Sequence, residues 1–422
     1  MTPRHAILGL LLAACSPNPP PTPYHKPAAP PGSVRPPATP SGSPRTCLRQ
    51  PMGSEAAVRC WVSWLTSPAL AGRAPGSPGG ETARAAIAAV FADQSLDPAG
   101  DDDTYFQELP RGANVLAMIQ GRDPAREDDV IVVGAHYDHL GEHHPGADDN
   151  ASGVAVLLEL TRRLAASPLP RSVLIAAFDA EEPPAYRTPA MGSQYWIDHP
   201  TIARPRVTAM IAMDLMGGNL WSGTRTPLYV MGRETIAATG APDLTKAPVR
   251  AEAMHLRLVE DLPSGRQAFS DHGAFFAANI PVLFFSTGRS PHYHRVTDTP
   301  DTLDYAKLTA EVEVVEAHVR WLADHPERPT WRPDQPLTAA DVTAVLLLLN
   351  DGSAPTGTAE FTGLAAPAIA RDQAALAPLT AIAGPLSDAA AGTVITASLR
   401  AQCLLTPDDE APTAACLAMF PQ

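Results

Sequence analysis

Asp128-Asp129-Val130-Ile131-Val132-Val133-Gly134-Ala135-His136-Tyr137-Asp138-His139-Leu140-Gly141 decides the fold. Val130 to Val133 is short and wholly apolar, the pattern of a strand buried on both faces of a parallel sheet. Three more runs share it: Val173 to Phe178, Val207 to Met213 and Ile280 to Phe285. Pro281 stands at the very start of the last, where a missing N–H is tolerated. Helical spacing predicts helices over Thr82 to Phe91, Ala151 to Ala166 (with Asn150 or Ser152 as caps) and Leu308 to Leu322. Strands separated by helices predict an α/β fold with a mostly parallel mixed sheet sandwiched by helices.

In an open α/β sheet, ligands bind outside the carboxyl ends of the strands. Candidate ligands fall at those ends: His136 after the first run, Glu181 and Glu182 in FDAEEPP, Asp214 in IAMDLMGG, and His294 in SPHYHRVTD. Asp149, in PGADDNASG, stands just before the second predicted helix. His136, Asp149, Glu182, Asp214 and His294 make two imidazoles and three carboxylates, which suits two zinc ions sharing one carboxylate with positions open for water. Without cations, crowded carboxylates would repel one another. The inventory is that of a metal-dependent hydrolase. Asp138, two residues after His136, projects to the same side in extended chain and is expected to accept the second ring N–H.

A chain of 422 residues with 45% hydrophobic content accommodates one large α/β domain and a smaller appendage. A formal charge of −14 and pI near 5.3 exclude nucleic acid and acidic membrane surfaces as partners. Arg4 and His5 precede the apolar run Ala6 to Ala14, too short to span a bilayer. Its end, Leu12-Ala13-Ala14-Cys15, resembles a bacterial lipobox. The expectation is an exported protein held by lipid on Cys15 to a bacterial membrane, at the outer membrane or cell surface, with residues 1–15 as signal. Residues 16–45, dominated by Pro, Ser, Ala and Gly, read as a disordered tether. Residues 46–327 read as the catalytic domain, and 328–422 as an extension without a motif and one apolar helix candidate, Ala340 to Leu349. Cys47, Cys60, Cys403 and Cys416 imply two disulfides. Local pairing would close two small loops, and terminus-to-terminus pairing stands open beside it.

The order HYD, ADDNASG, AEE, a lone Asp and then YH resembles the zinc aminopeptidases of metallopeptidase clan MH, the aminopeptidase Y and leucyl aminopeptidase-like enzymes. Ala71-Gly72-Arg73-Ala74-Pro75-Gly76-Ser77, Ala113-Asn114-Val115 and Ser270-Asp271-His272 resemble the same family, and the likeness spans 54–324. The resemblance implies one zinc on His136 and Asp214, a second on Glu182 and His294, and Asp149 bridging, with Asp148 a local structural residue. It implies Glu181 as general base, taking a proton from a water shared by the two ions and passing it to the leaving amine. Tyr293 matches a position that steadies the oxyanion in some relatives. Asp271 and His272 would support the site, Asp298 would brace the loop of His294, and His139, His143, His144 and His292 would face solvent or line the pocket. One departure is the stretch Pro183 to Ala190, a longer loop than relatives carry. The function implied is removal of N-terminal residues from peptides. Runners-up are clan relatives: a glutamate carboxypeptidase, which would want an arginine such as Arg187, or a single-zinc glutaminyl cyclase. A non-catalytic binding lipoprotein is the third reading.

Overall fold

The protein is described here by a computed structural model covering residues 44–405, apart from 222–223, 263–264, 267–269, 333–334 and 354–364, together with Leu417. The expected signal segment, Cys15 and most of the expected tether lie outside the described residues. Its end differs from expectation: Pro44 and Arg45 open a short helix rather than continuing a tether.

Among the described residues nine strands build the central sheet. They are β1 (Asp97–Pro98), β2 (Phe106–Glu108), β3 (Ala113–Ile119), β4 (Val130–His136), β5 (Ser172–Phe178), β6 (Val207–Met213), β7 (Leu228–Met231), β8 (Ala251–Met254) and β9 (Val282–Ser286). The order is β1-β3-β5-β4-β6-β9-β7-β8, with β2 also on β3. The four apolar runs of the sequence are β4, β5, β6 and β9. They lie side by side and parallel in the order β5-β4-β6-β9. Antiparallel strands flank them, β3 beside β5 and β7 beside β9.

The helices are α1 (Pro44–Leu48), α2 (Glu55–Leu65), α3 (Pro78–Asp93), α4 (Gly153–Ala166), α5 (Gly192–Asp198), α6 (Arg257–Glu260), α7 (His272–Ala277), α8 (Tyr305–Asp324), α9 (Ala339–Gly352), α10 (Ala365–Leu376) and α11 (Asp388–Leu405). Alternation along β4 divides the core: Ile131, Val133 and Ala135 pack with apolar residues of α2, α3, α4 and α8. Val130 and Val132 share the opposite face with Trp196 of α5, Phe275 of α7 and the C-terminal helices. Every residue of β4, β5 and β6 is buried, as two-sided cover requires.

Cys47 and Cys60 form a disulfide that ties α1 to α2, the local pairing among the alternatives. Cys403 is disulfide-bonded as well, and Cys416 lies outside the described residues. No helix among the described residues is long and apolar enough to cross a membrane.

The segment after residue 328 packs directly on the second sheet face. Val342, Val345 and Leu349 of α9 join the core that holds Met254 and Leu256, the Asp341 carboxylate accepts the His255 N–H at 3.0 Å, and Ser398 of α11 donates to the Leu258 carbonyl at 3.0 Å. Leu349→Ala should therefore cost about 2–5 kcal/mol. Differential scanning calorimetry should show one transition at lower temperature. A second transition moving alone would mean that α9 to α11 unfold independently.

Candidate metal centre

Strand β4 sits at the point where the sheet order reverses, with β5 on one side and β6 on the other. A crevice opens there at the carboxyl ends. His136 is the last residue of β4, Glu181 and Glu182 follow β5, Asp214 follows β6, and the segment after β9 carries His294. Three residues at these exits hold positive φ without being glycine: Ala180 at 57°, Leu215 at 57° and His294 at 56°. Each costs about 1–3 kcal/mol and persists only where its surroundings impose it.

The five expected ligands come together. His136 Nε2 lies 3.4 Å from Asp149 Oδ1 and 3.4 Å from Asp214 Oδ1. His294 Nε2 lies 3.2 Å from Asp149 Oδ2 and 3.2 Å from Glu182 Oε2. Asp149 thus turns one oxygen to each imidazole, as a bridging carboxylate would. His136 Nε2, His294 Nε2 and Asp214 Oδ1 are buried with no hydrogen-bond partner. Donor atoms about 2.0–2.1 Å from a tetrahedral ion stand about 3.3 Å apart, so the spacings fit an ion in each cluster. The charge balance points the same way. Burial opposes charge on His136 and His294, yet neighbouring carboxylates outweigh it, lifting His294 to about 10 and His136 well above its usual range. Burial, reinforced by Glu182 and Asp214, pushes Glu181 far above the ordinary carboxylate range. A pocket that retains protons so strongly is one that cations would relieve.

Glu181 Oε2 lies 3.9 Å from His136 Nε2, at the edge of the first cluster. It falls into neither potential metal group, those being His136, Asp149, Asp214 and His139, Asp149, Glu182.

Three of the ligand-bearing segments, those of Glu182, Asp149 and Asp214, are gripped by a carboxylate from another turn. Asp138 accepts the N–H groups of Glu181 and Glu182, both at 3.1 Å. Asp298 accepts those of Asp148 and Asp149 at 2.8 and 3.1 Å. Asp148 accepts those of Gly217 and Gly218, beyond Asp214, at 3.0 and 2.8 Å. Two expectations change accordingly. Asp138 lies just beyond β4, and its carboxylate stands 3.6 Å from His136 Nδ1, while its own carbonyl is at 3.3 Å. Its strong partners are the unpaired N–H groups past β5, which makes it a buried positioning group. Asp298 reaches out of the His294 loop to fix the turn of Asp149, so it couples the two. Asp148 is structural, as expected.

His139, expected to face solvent or line the pocket, is fully buried and its Nδ1 lies 2.9 Å from Glu182 Oε1. Burial holds it neutral, down to about 3, so Nδ1–H donates and orients Glu182. His143 is exposed and His144 half-buried, and neither enters the metal groups. His292 turns Nδ1 to the Thr297 hydroxyl at 3.0 Å. His272 stacks on Phe284, and Asp271, pushed up to about 7 by burial, lies outside both metal groups. Tyr293 stacks on the His294 ring at 3.8 Å between centroids.

Two signature segments explain themselves. Arg73, fully buried, donates to the carbonyls of Leu65, Tyr137, Pro145 and Gly146, tying the turn after His136 to the turn before Asp149. Asn114 accepts the Asp179 N–H at 3.0 Å and donates to the Gly192 carbonyl at 2.9 Å. A Cβ on Gly192 would meet Asn114 Oδ1 at 2.3 Å, so the close approach demands glycine. The Gly192 N–H returns to the Asp179 carbonyl at 2.9 Å. The long loop is thereby closed at its base.

Residues 114–319 match peptidase family M28. The uncharacterized protein YfbL of Escherichia coli is 32% identical over 237 residues, covering 50% of this chain and 72% of that protein. The chain belongs to peptidase family M28. It is a metallopeptidase of that family, and the matched span contains every expected ligand. The aminopeptidase YwaD of Bacillus subtilis is 26% identical over 225 residues, 51% of this chain and 46% of that protein. The LapA aminopeptidase of Legionella pneumophila shares the fold, with a TM-score of 0.52 at 20% identity over 67% of this chain and 75% of that one.

Because Asp298 couples two ligand loops of this M28 chain, Asp298→Asn should replace one acceptor oxygen with an NH₂ facing a backbone N–H. Equilibrium dialysis should show metal affinity lower by about 10–100-fold, as for other groups that orient ligands. Unchanged affinity would mean that the Asp149 turn holds itself.

Proposed function

We propose that the protein is a zinc-dependent aminopeptidase that holds two ions, one between His136, Asp149 and Asp214, the other between Asp149, Glu182 and His294. The observation that carries this reading is Asp149, whose two oxygens face two separate histidine clusters beside an uncommitted, buried Glu181. Zinc and action at peptide N-termini are supported by family membership and by relatives named as an aminopeptidase and as probable zinc metalloproteases. When bound, zinc lowers the pKa of a coordinated water toward about 7 and polarises the scissile carbonyl.

The chain's own groups do the rest. Glu181 takes a proton from the attacking water and delivers it to the departing amine. Asp138 fixes Glu181 by its backbone N–H, and His139 fixes Glu182 by its carboxylate. Tyr293, stacked on His294, stands beside the centre to donate to the developing oxyanion. The acidic surroundings suit a free N-terminal ammonium. The Leu12-Ala13-Ala14-Cys15 motif supports export and lipid anchoring on Cys15 at a bacterial outer membrane or surface.

Turnover of amino-acid p-nitroanilides by the full chain tests the reading. Chelator should abolish hydrolysis, zinc should restore it, and metal analysis should find two ions per chain. Glu181→Gln should lower kcat by about 10²–10⁴-fold, the usual contribution of a general base, with metal content unchanged. A filled site without hydrolysis of any p-nitroanilide would overturn the aminopeptidase reading, and a fully active Glu181→Gln enzyme would remove Glu181 from the mechanism.

A further inference from the structure

Beyond the metal centre, the segment between β9 and His294 carries a guanidinium whose place the mechanism leaves unexplained. Thr287, just after β9, is pinned by its N–H and hydroxyl to the Leu215 carbonyl at 2.9 and 2.8 Å, so the segment leaves the sheet beside Asp214. Gly288 turns at a φ of 85°. Arg289 then lies with its guanidinium carbon 4.8 Å from the centroid of Tyr293. Tyr293 in turn stacks on His294, 3.8 Å between centroids and 18° between planes. Guanidinium, phenol and imidazole thus form one layered wall ending at an expected metal ligand. The extra loop supplies Tyr186 near it, with Arg187 4.8 Å over the Tyr186 ring. The charge environment agrees with this placement: burial works against the Arg289 cation, while Tyr293, Tyr186, Asp149 and Asp214 more than offset it.

The chemistry of that wall is specific. When ionised, Asp149, Glu181, Glu182 and Asp214 only accept hydrogen bonds, so none of them can receive a carboxylate that a substrate brings. An arginine held against an aromatic face keeps its planar fork oriented, and that fork matches a carboxylate in two parallel hydrogen bonds. We infer that Arg289 is a specificity-determining residue that receives a carboxylate of the substrate, so that the preferred peptides are acidic at the N-terminal residue or are short ones ending in a free C-terminus. The inference rests on the peptidase reading and deepens it by naming the substrate class.

The test compares Glu-Leu-amide with Gln-Leu-amide, and Leu-Leu with Leu-Leu-amide, on the full chain loaded with zinc, for wild type, Arg289→Met and Arg289→Lys. Within each pair the peptides differ only in the carboxylate. The expected result is that Arg289→Met lowers kcat/KM about tenfold or more for whichever carboxylate-bearing peptide uses the wall, mainly through KM. The uncharged partner should change less than about threefold, and Arg289→Lys should recover part of the loss. The first pair responding assigns the N-terminal side chain, the second the C-terminus. Metal content measured on each variant shows whether His294 has kept its place; a loss of metal with parallel losses on all four peptides would overturn the inference in favour of a purely structural arginine. Calorimetric titration with the same peptides reads the preference without turnover. If wild type cleaves none of them, the aminopeptidase reading falls while the binding preference still decides the role of Arg289. Equal binding of both members of each pair by wild type would overturn the inference.

Discussion

Asp149 presents its two carboxylate oxygens to two different histidines, and the surrounding architecture serves to hold it there. It sits in a pocket where Glu181, Glu182 and Asp214 crowd the same few ångströms, with Asp138, Asp148 and Asp298 immediately behind. Such a concentration of acid in a buried space is unstable unless each group is separately accommodated. Each of the rear three accepts a pair of backbone N–H groups, and Arg73 places a buried cation among the same turns. The front group faces two imidazoles across spacings that suit metal ions. Positive charge and N–H donors are therefore structural requirements of this pocket as much as chemical ones.

The three rear carboxylates use one device. Each captures two successive amides of another turn, so the segment after β4 is tied to the loops after β5, β6 and β9. Precision then does not depend on any loop being stiff by itself. It also accounts for the left-handed residues at Ala180 and Leu215, each of which stands shortly before a captured pair of amides. Strands β4, β5, β6 and β9 contribute rigid origins, and the carboxylates fix the far ends.

Much of this was legible in the sequence. Unbroken apolar runs announced the parallel strands because burial on both faces leaves no room for polar alternation, and the ligands were readable because each stood at a strand exit. The short strands β1, β2, β7 and β8 were not, since two to four residues carry no period. Ser152 as a cap shows a subtler limit: its hydroxyl donates to the Asp148 carbonyl, and Asn150 caps Gly153 instead. His139 escaped because nothing in HYDHLG separates a buried imidazole from an exposed one three residues after a ligand. The partners of Arg73 and Asp138 escaped in the same way, since they lie far along the chain or in another loop.

The hydrogen bond from Gly192 to Asp179 has a consequence for how such a protein can diversify. It shuts the neck of the segment that leaves Glu182 and returns to α5, so everything between is suspended from a fixed clasp. The two glutamates lie within that clasp, and the Asp138 carboxylate on their N–H groups keeps their positions while residues beyond them are added or removed. Access to the crevice and the catalytic geometry are thus mechanically uncoupled, and the segment around Tyr186 and Arg187 is free to be rewritten for a new clientele without rebuilding the centre beneath it.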